Sequence, residues 1–238
     1  MICPNCNATD HEAGAKYCHK CGSPLSYNNS SSIESSKPQN HYKMSSVPNC
    51  VKAVDLGLPS GTRWANMNIG AISPEKFGDY YAWGEVSKKT TYTWQTYTHC
   101  DGTIESCRDI GSNICGTQYD VAHVKWGGKW QLPTSDQVKE LIENCRYEWT
   151  KVNGVNGGRF IGPNGNSIFL PAAGYRDDSS EISPTGHIDV GYYAEYWSGT
   201  QNSPFVEYAF CLTLFDCGPE GRNSARGNGN VIRPVEVS

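Results

Sequence analysis

Leucine is scarce in this 238-residue chain, which contains only eight. Long amphipathic helices need aliphatic residues that recur with a period of 3.6, so this scarcity argues against a helical bundle. Glycine (25), tyrosine (14), proline (13) and tryptophan (7) are abundant instead. Gly and Pro are typical of turns, and each large aromatic side chain can bury roughly 150 to 250 Å². We therefore expect an α+β fold with many loops and an aromatic core.

The chain also lacks long apolar runs and an excess of positive charge. No stretch of 18 apolar residues occurs, so we expect no membrane span. The first residues, MICPNCNATD, contain neither the basic segment nor the apolar segment of a conventional secretion signal. We therefore expect a cytoplasmic location. The formal net charge is −4 and the basic residues are scattered, so we expect no nucleic-acid partner.

Four of the eleven cysteines form a metal-ligand pattern near the N-terminus. Cys3 and Cys6 make one Cys-x2-Cys pair, and Cys18 and Cys21 make a second pair after an eleven-residue spacer. Two such pairs can aim four thiolates at one tetrahedral Zn²⁺. The sequence therefore predicts one zinc ion. With four thiolates no coordination position is open to a substrate, so the expected role is structural or adhesive and not catalytic.

The other seven cysteines are dispersed at no regular spacing, namely Cys50, Cys100, Cys107, Cys115, Cys145, Cys211 and Cys217. An irregular, odd-numbered set is typical of a reducing compartment, where cysteine behaves as a small buried apolar residue. In an oxidising environment Cys107 and Cys115 could bridge.

Composition divides the chain into three parts. Residues 1–22 hold the predicted zinc ribbon, and residues 23–49 are rich in Ser and Asn, which predicts a flexible linker. Residues 50–238 are expected to form one large domain.

Within the large domain, the strongest helix signal is PTSDQVKELIENC. Thr134 or Ser135 is a suitable cap, and Val138, Leu141, Ile142 and Cys145 fall on one helical face. The strongest hairpin signal is a turn at 163–165 between apolar runs. A short helix is predicted from Ser73, and further strands at 192–198, 208–215 and 231–237.

Several segments of this domain resemble a known family when they are taken in order. They read VDLGLPSGTRWANMNIGA, GDYYAWGE, HVKWGGKWQLPTSDQVKEL, NGNSIFLPAAGYR, EYWSGTQ and VIRPV. This series resembles a bacterial paralogous domain known from its abundance in Fibrobacter, which is similar in turn to the C-type-lectin-like fold of the formylglycine-generating-enzyme type. The resemblance implies a compact, irregular domain with a small twisted antiparallel sheet, one or two helices and many loops.

One branch of that fold comprises the variable proteins of diversity-generating retroelements, whose C-terminal surface residues change while the scaffold is kept. The scaffold pattern is matched here by YWSGT at 196–200, by AFCLTL at 209–214 and by RGNGNVIRPV at 226–235. The departures are Gly199, Phe210, Leu214 and Ile232. The resemblance implies a non-enzymatic protein whose segment 199–230 recognises another protein or macromolecule.

The alternation of side chains along the predicted strand 208–215 indicates which of them would contact the ligand. Phe210, Leu212 and Leu214 share one apolar face, whereas Cys211, Thr213 and Phe215 share a mixed face that we expect to be exposed. The full set of predicted ligand-binding residues is Phe205, Val206, Glu207, Cys211, Thr213, Phe215, Cys217, Glu220, Asn223, Ser224, Ala225 and Asn228.

Two alternatives stay open at this point. The first is a non-variable domain of the same family with a structural or adhesive role. The second is a cysteine-dependent oxidase that uses Cys211 and Cys217, although no histidine or basic residue adjoins either of them in the sequence to lower a thiol pKa.

Overall fold

The computed structural model describes residues 47–178 and 186–237, together with Thr9 and Ala15. The chain divides into two units, Met1–Tyr42 and Lys43–Ser238. The predicted zinc ligands Cys3, Cys6, Cys18 and Cys21, and nearly all of the predicted linker, lie outside the described residues.

The described part of the second unit is a mixed α/β domain with small antiparallel sheets and few helices, which agrees with the predicted α+β class. Its two α-helices are α1 (Val121–Trp126) and α2 (Ser135–Asn144). Its strands are β1 (Ala53–Asp55), β2 (Arg63–Ala65), β3 (Trp130–Gln131), β4 (Arg146–Val152), β5 (Val155–Ile161), β6 (Ser167–Pro171), β7 (Tyr175–Arg176), β8 (His187–Ile188), β9 (Ala194–Gln201), β10 (Tyr208–Phe215), β11 (Gly218–Ala225) and β12 (Val235–Glu236).

These strands form four sheets with the orders β1-β2-β12-β3, β11-β10-β9, β4-β5-β6 and β7-β8. The sheet that contains the predicted recognition segment is β11-β10-β9, where β10 lies in the centre and β11 at one side. Isolated bridges join it to its surroundings. Gly174 pairs with Ala194, and Val231 pairs with Tyr196.

Helix α2 confirms the strongest helix signal in the sequence. Thr134 is its N-cap, since the Thr134 hydroxyl accepts from the Gln137 N–H at 3.2 Å while Gln137 Oε1 accepts from the Thr134 N–H at 2.9 Å. This reciprocal capping box satisfies two backbone donors at the helix start. Val138 and Leu141 are fully buried in the core, as the apolar periodicity predicts.

Two apolar clusters lie against opposite faces of strand β10. Leu212 and Leu214 belong to a cluster with α2 and β6, whereas Ala209 and Cys211 belong to a second cluster with Trp197 and Trp83. The aromatic core is therefore confirmed. The buried indoles also hold the sheet by hydrogen bonds: Trp83 Nε1 donates to the Ser198 carbonyl, and Trp197 Nε1 to the Tyr81 carbonyl, at 2.9 and 2.8 Å.

Four local predictions are wrong or incomplete. The segment from Ser73 forms a turn closed by the Lys76 N–H and the Ser73 carbonyl, and the helix predicted there is absent. The predicted strand 231–237 is extended only as β12 and an isolated bridge at Val231. Helix α1 was not predicted; Asp120 caps it by accepting from the N–H groups of Ala122 and His123. Strand β11 at Gly218–Ala225 was not predicted either.

Candidate ligand-binding face of the C-terminal sheet

The predicted recognition segment is built on the hairpin β10–β11, whose register runs from Tyr208 opposite Ala225 to Phe215 opposite Gly218. Just beyond the strands, the Arg226 N–H donates to the Glu207 carbonyl at 3.0 Å. Hydrogen-bonded pairs alternate along an antiparallel ladder, and Arg226 extends the register of β11 by one residue. The even-numbered residues of β11 therefore direct their N–H and C=O groups towards β10, as Arg226 does with its N–H. The odd-numbered residues 219, 221 and 223 then point theirs away from the sheet.

The structure confirms exposure for many of the predicted ligand-binding residues but not for all. Phe205, Cys217, Glu220 and Asn223 are exposed, whereas Val206, Glu207, Phe215, Ala225 and Asn228 are partly exposed. The expected exposure of Cys211, Thr213 and Ser224 is wrong, because their relative exposure is 0%, 0% and 5%.

Cys211 and Thr213 are buried because side chains of strand β9 lie beside them on the mixed face. Trp197 lies directly opposite Cys211, and Glu195 directly opposite Thr213. The alternation was therefore predicted correctly, since Cys211, Thr213 and Phe215 do share a face. A neighbouring strand and its large side chains bury the first two.

A row of aromatic rings continues this face to the surface. The Tyr175 and Tyr193 ring centroids are 6.0 Å apart, and those of Tyr193 and Phe215 are 5.0 Å apart, both edge to face. The Arg222 guanidinium lies 4.6 Å from the Phe215 centroid. Arg222 also donates to Glu220 Oε2 at 2.7 Å, and both charged side chains are about half exposed, at 50% and 53%. We call Tyr175, Tyr193, Glu195, Thr213 and Phe215 the Glu195 face.

Glu195 is the buried carboxylate of this face, with a relative exposure of 8%. The Tyr193 hydroxyl donates to Glu195 Oε1 at 2.6 Å, and Asn230 Nδ2 donates to Glu195 Oε2 at 3.0 Å. Burial raises the pKa of the Tyr193 phenol, and the neighbouring Glu195 charge raises it further. Both hydrogen-bond donors to Glu195 are thus neutral groups, and among the described residues the carboxylate takes part in no ion pair.

Asn230 adds a second buried acceptor beside Glu195. Its side chain is 0% exposed, and its Oδ1 has no hydrogen-bond partner among the described residues. Its Nδ2 is held by Glu195, which sets the orientation of the amide. Buried polar atoms are nearly always satisfied in folded proteins, so this acceptor requires an explanation.

Two buried arginines fix the chain on either side of Asn230. Arg226 donates to the Tyr97 hydroxyl and to the carbonyls of Arg108 and Val206, and its guanidinium stacks 4.6 Å from the Trp83 ring. Arg233 donates to Asn68 Oδ1 and to the carbonyls of Ala65 and Phe169. The residues at which β11 ends and the last strand begins are therefore anchored.

The cysteines of the segment differ in environment. Cys211 is buried, and burial, together with Glu195, raises the pKa of its thiol well above the usual range. Cys217 lies exposed in the turn between β10 and β11. Cys107 and Cys115, the pair that the spacing left open to a disulfide, are both free thiols.

Sequence reasoning missed Tyr175, Tyr193, Glu195, Arg222 and Asn230. Tyr193 lies just before β9, and Glu195 and Trp197 follow it at intervals of two residues. Side chains two apart on a strand share a face, so this spacing was the available signal that Tyr193 and Glu195 lie on the face of Trp197. Tyr175 and Asn230 reach the face only through the bridges around Gly174 and Val231, for which local sequence offers no signal.

Over residues 47–178 and 186–237, no group of three or more His, Cys, Asp or Glu side chains is arranged to hold a metal ion. The same part of the chain contains no helix with the length and apolar character needed to cross a membrane.

Comparisons with known proteins find no match to this chain among family models, curated proteins or solved structures.

Proposed function

We propose that this protein binds a protein or another macromolecule through segment 199–230, without catalysing a reaction. In this proposal the scaffold is C-type-lectin-like, of the kind used by retroelement variable proteins, and it displays the exposed side chains of β11 and of the neighbouring loop. The observation that carries the proposal is the contrast within this segment between an exposed strand and buried anchors at its end.

The exposed part is chemically suited to recognition. Glu220, Arg222 and Asn223 are exposed on β11, and the Phe205 ring is 56% exposed in the loop before β10. Aromatic, charged and amide groups on an ordered backbone supply contact area and hydrogen bonds at low entropic cost. Because Arg226 and Arg233 are buried elsewhere, substitutions at the exposed positions leave the anchors intact.

Strand β11 also presents a backbone edge. Gly221 and Asn223 point their N–H and C=O groups away from β10, and neither backbone has a partner among the described residues. Pro219 shares that edge and has no N–H to offer, and charged side chains alternate beside it. Both features are typical of edge strands protected from uncontrolled pairing, so side chains are the better candidates for ligand contacts.

An oxidase that uses Cys211 and Cys217 is the less favoured alternative. A catalytic thiol needs a lowered pKa, whereas burial and Glu195 raise that of Cys211. Copper-dependent oxidation of a cysteine-containing peptide, lost in Cys217→Ser, would favour the oxidase.

The test compares two double variants of the full chain, each of which removes one acidic and one basic exposed side chain. Glu220→Ser with Arg222→Ser alters β11, while Glu105→Ser with Lys129→Ser alters exposed positions in other parts of the domain. Immobilised wild-type protein is used to capture ligands from extracts of the native cells. We expect the β11 variant to lose the captured ligand and the control to retain it. Equal capture by both variants would overturn the proposal.

Genomic DNA separates a variable protein from a fixed domain of the same family. A variable protein requires a near-repeat of the codons for residues 197–235 that differs mainly at adenines and lies beside a reverse transcriptase gene. If the near-repeat is absent, the fixed domain is favoured.

The zinc ribbon at residues 1–22 is likewise a proposal. Metal analysis of the purified full chain is expected to give one zinc ion per chain, and Cys3→Ser with Cys6→Ser is expected to abolish it. A zinc content that is unchanged in this variant would contradict the ribbon.

A further inference from the structure

We infer that the Glu195 face takes a basic side chain of the ligand, a lysine ammonium or an arginine guanidinium, against the Glu195 carboxylate and the Tyr193 and Phe215 rings. This inference rests on the proposed function, since it assigns the ligand chemistry of part of the same surface. Three features of the face and of the adjoining Asn230 carry it.

The first feature is a buried carboxylate without a counter-charge. Glu195 is 8% exposed, and within the described part of the chain its carboxylate is hydrogen-bonded only by the neutral Tyr193 hydroxyl and Asn230 amide. Arg222, a basic residue on this face, is paired with Glu220 instead. Buried charges in folded proteins are normally paired, because an unpaired charge loses its hydration without compensation. A cationic ligand group would supply the missing partner.

The second feature is the unpartnered acceptor on Asn230. Its Oδ1 belongs to the same amide that binds Glu195, and it is buried without a donor among the described residues. The buried Asn230 side chain thus adds a second acceptor group next to the carboxylate that its Nδ2 binds. A group that fits them must offer several N–H donors, as an ammonium or a guanidinium does. A carboxylate or phosphate ligand would bring more acceptors and no donor.

The third feature is the aromatic row. Tyr175, Tyr193 and Phe215 are partly exposed, and ring faces attract cations within about 6 Å of the centroid. The protein's own Arg222 guanidinium lies 4.6 Å from the Phe215 centroid, so one cation–ring contact is already formed in this row. The carboxylates of Glu195, Asp177 and Asp189 are close enough to Tyr175 to raise its pKa, after the larger effect of burial, so this end of the row is electronegative.

The exposed ring of Tyr192 favours a macromolecular source for the basic side chain. Tyr192 precedes Tyr193 and is 80% exposed, and Val190 is 38% exposed on the same short connection. Such apolar surface beside a charged site suits the flanking residues of a peptide chain better than a free amine.

The test uses three capped amino acids as probes of the full chain: the N-acetyl methylamides of lysine, arginine and norleucine. Norleucine matches the length of the lysine stem without its charge. We expect the lysine and arginine probes to shift the backbone amide NMR signals of Tyr193, Glu195 and Thr213, with no comparable shift from norleucine.

Two variants then test the role of the carboxylate. Glu195→Gln keeps the shape and removes the charge, and we expect it to weaken binding of the basic probes at least about tenfold. Glu143→Gln, on the exposed surface of α2, is the matched control and is expected to bind as wild type. If Glu195→Gln proves unstable in thermal unfolding, Phe215→Leu replaces it, because that ring is partly exposed and its loss removes the cation–π contact.

The outcomes separate this inference from the function on which it rests. Equal shifts with norleucine, no shift with the basic probes, or unchanged binding in the Glu195 and Phe215 variants would overturn the inference. If the β11 variant still loses the captured ligand, the proposed function stands without it. If neither the β11 variant nor Glu195→Gln changes ligand capture, both the proposed function and this inference fail.

Discussion

Arg233 shows how much a single residue contributes to holding the C-terminal segment. Its guanidinium is 1% exposed and donates to three acceptors on separate parts of the chain, at 2.8, 3.0 and 2.9 Å. Burial lowers the pKa of this guanidinium to about 10. At neutral pH it is therefore still charged, and its hydrogen bonds are charge-assisted.

Replacing Arg233 by methionine keeps most of the volume but leaves Asn68 and two buried carbonyls without donors. We expect the free energy of unfolding to fall by about 3 to 5 kcal/mol, as measured by urea denaturation. The control is Arg63→Met, which removes an exposed ion pair with Glu236 and should cost less than about 1 kcal/mol. Equal losses in the two variants would contradict the anchoring role.

The two cysteines of segment 199–230 should differ in reactivity. Cys217 is exposed in the hairpin turn, whereas Cys211 is buried and its thiol pKa is raised. Since the thiolate is the nucleophile, native protein treated with iodoacetamide at pH 8 should be alkylated at Cys217 and not at Cys211. Peptide mapping by mass spectrometry measures both sites. Alkylation of Cys211 at the rate of Cys217 would show that the mixed face is open to solvent.

At the scale of elements, α2 supports the sheet β11-β10-β9 from the side of the apolar cluster that contains Leu212 and Leu214. Ser135 N–H donates to the Thr200 hydroxyl at 2.9 Å, and Gln137 Nε2 donates to the Thr62 hydroxyl at 3.1 Å. The start of this helix is therefore tied both to β9 and to the turn before β2. The capping box that forms there depends on only four residues of local sequence.

The capping box can be tested by two substitutions at one position. Thr134→Ala removes the acceptor for the Gln137 N–H, and we expect a loss of about 1 kcal/mol in unfolding free energy. Thr134→Ser keeps the hydroxyl and should stay within a few tenths of wild type. Chemical denaturation monitored by circular dichroism gives both values. If serine and alanine behave alike, the hydroxyl does not cap the helix.

Strand β11 illustrates an element that its own sequence does not favour. Gly218, Pro219 and Gly221 all have low strand propensity, and the composition predicts a loop. Gly221 has a specific role, because a Cβ at this position would collide with the Phe210 ring across the hairpin. The strand forms because the two-residue turn at Asp216 and Cys217 returns the chain alongside β10, where eight residue pairs align.

At the scale of the whole molecule, tyrosine hydroxyls tie distant segments together. Tyr80 donates to the Ala173 carbonyl, Tyr97 to that of Trp83, Tyr147 to that of Phe215 and Tyr196 to that of Pro171. Burial raises the pKa of each of these phenols, and it raises that of Tyr92 to about 12. The folded state therefore holds phenol protons that the unfolded chain releases near pH 10.

This difference predicts alkaline unfolding. A group whose pKa is raised by folding stabilises the protein fully below its unfolded pKa, and the contribution is lost as pH rises towards the folded value. We expect the unfolding free energy to be level up to about pH 8 and to begin to fall near pH 8.5, because burial also raises the thiol pKa values of Cys107, Cys115, Cys145 and Cys211. The steepest fall is expected between about pH 10 and 12, where the phenols of the unfolded chain ionise. Denaturation curves at several pH values measure the unfolding free energy, and absorbance at 295 nm measures ionisation of the tyrosines in the same samples. Full titration of the phenols near pH 10 with the fold intact would contradict the prediction.

Local patterns in the sequence predicted the elements whose stabilising contacts are close in the chain. The cap and apolar face of α2, the hairpin of β5 and β6, and the alternation of β10 all depend on residues within a few positions of one another. The aromatic core followed from composition, because few other side chains can fill it. None of these features required knowledge of what packs against them.

The candidate site depended on contacts that no local pattern contains. Burial of both faces of β10 arises because Trp197 and Glu195 on β9 cover one face while α2 and β6 cover the other. The Glu195 carboxylate meets the Asn230 amide across 35 positions of the chain. Strand β11 owes its conformation to β10 and not to its glycines. Side-chain alternation is a property of one strand, whereas burial, charge pairing and the pairing of a glycine-rich strand are decided by neighbours that only folding brings together.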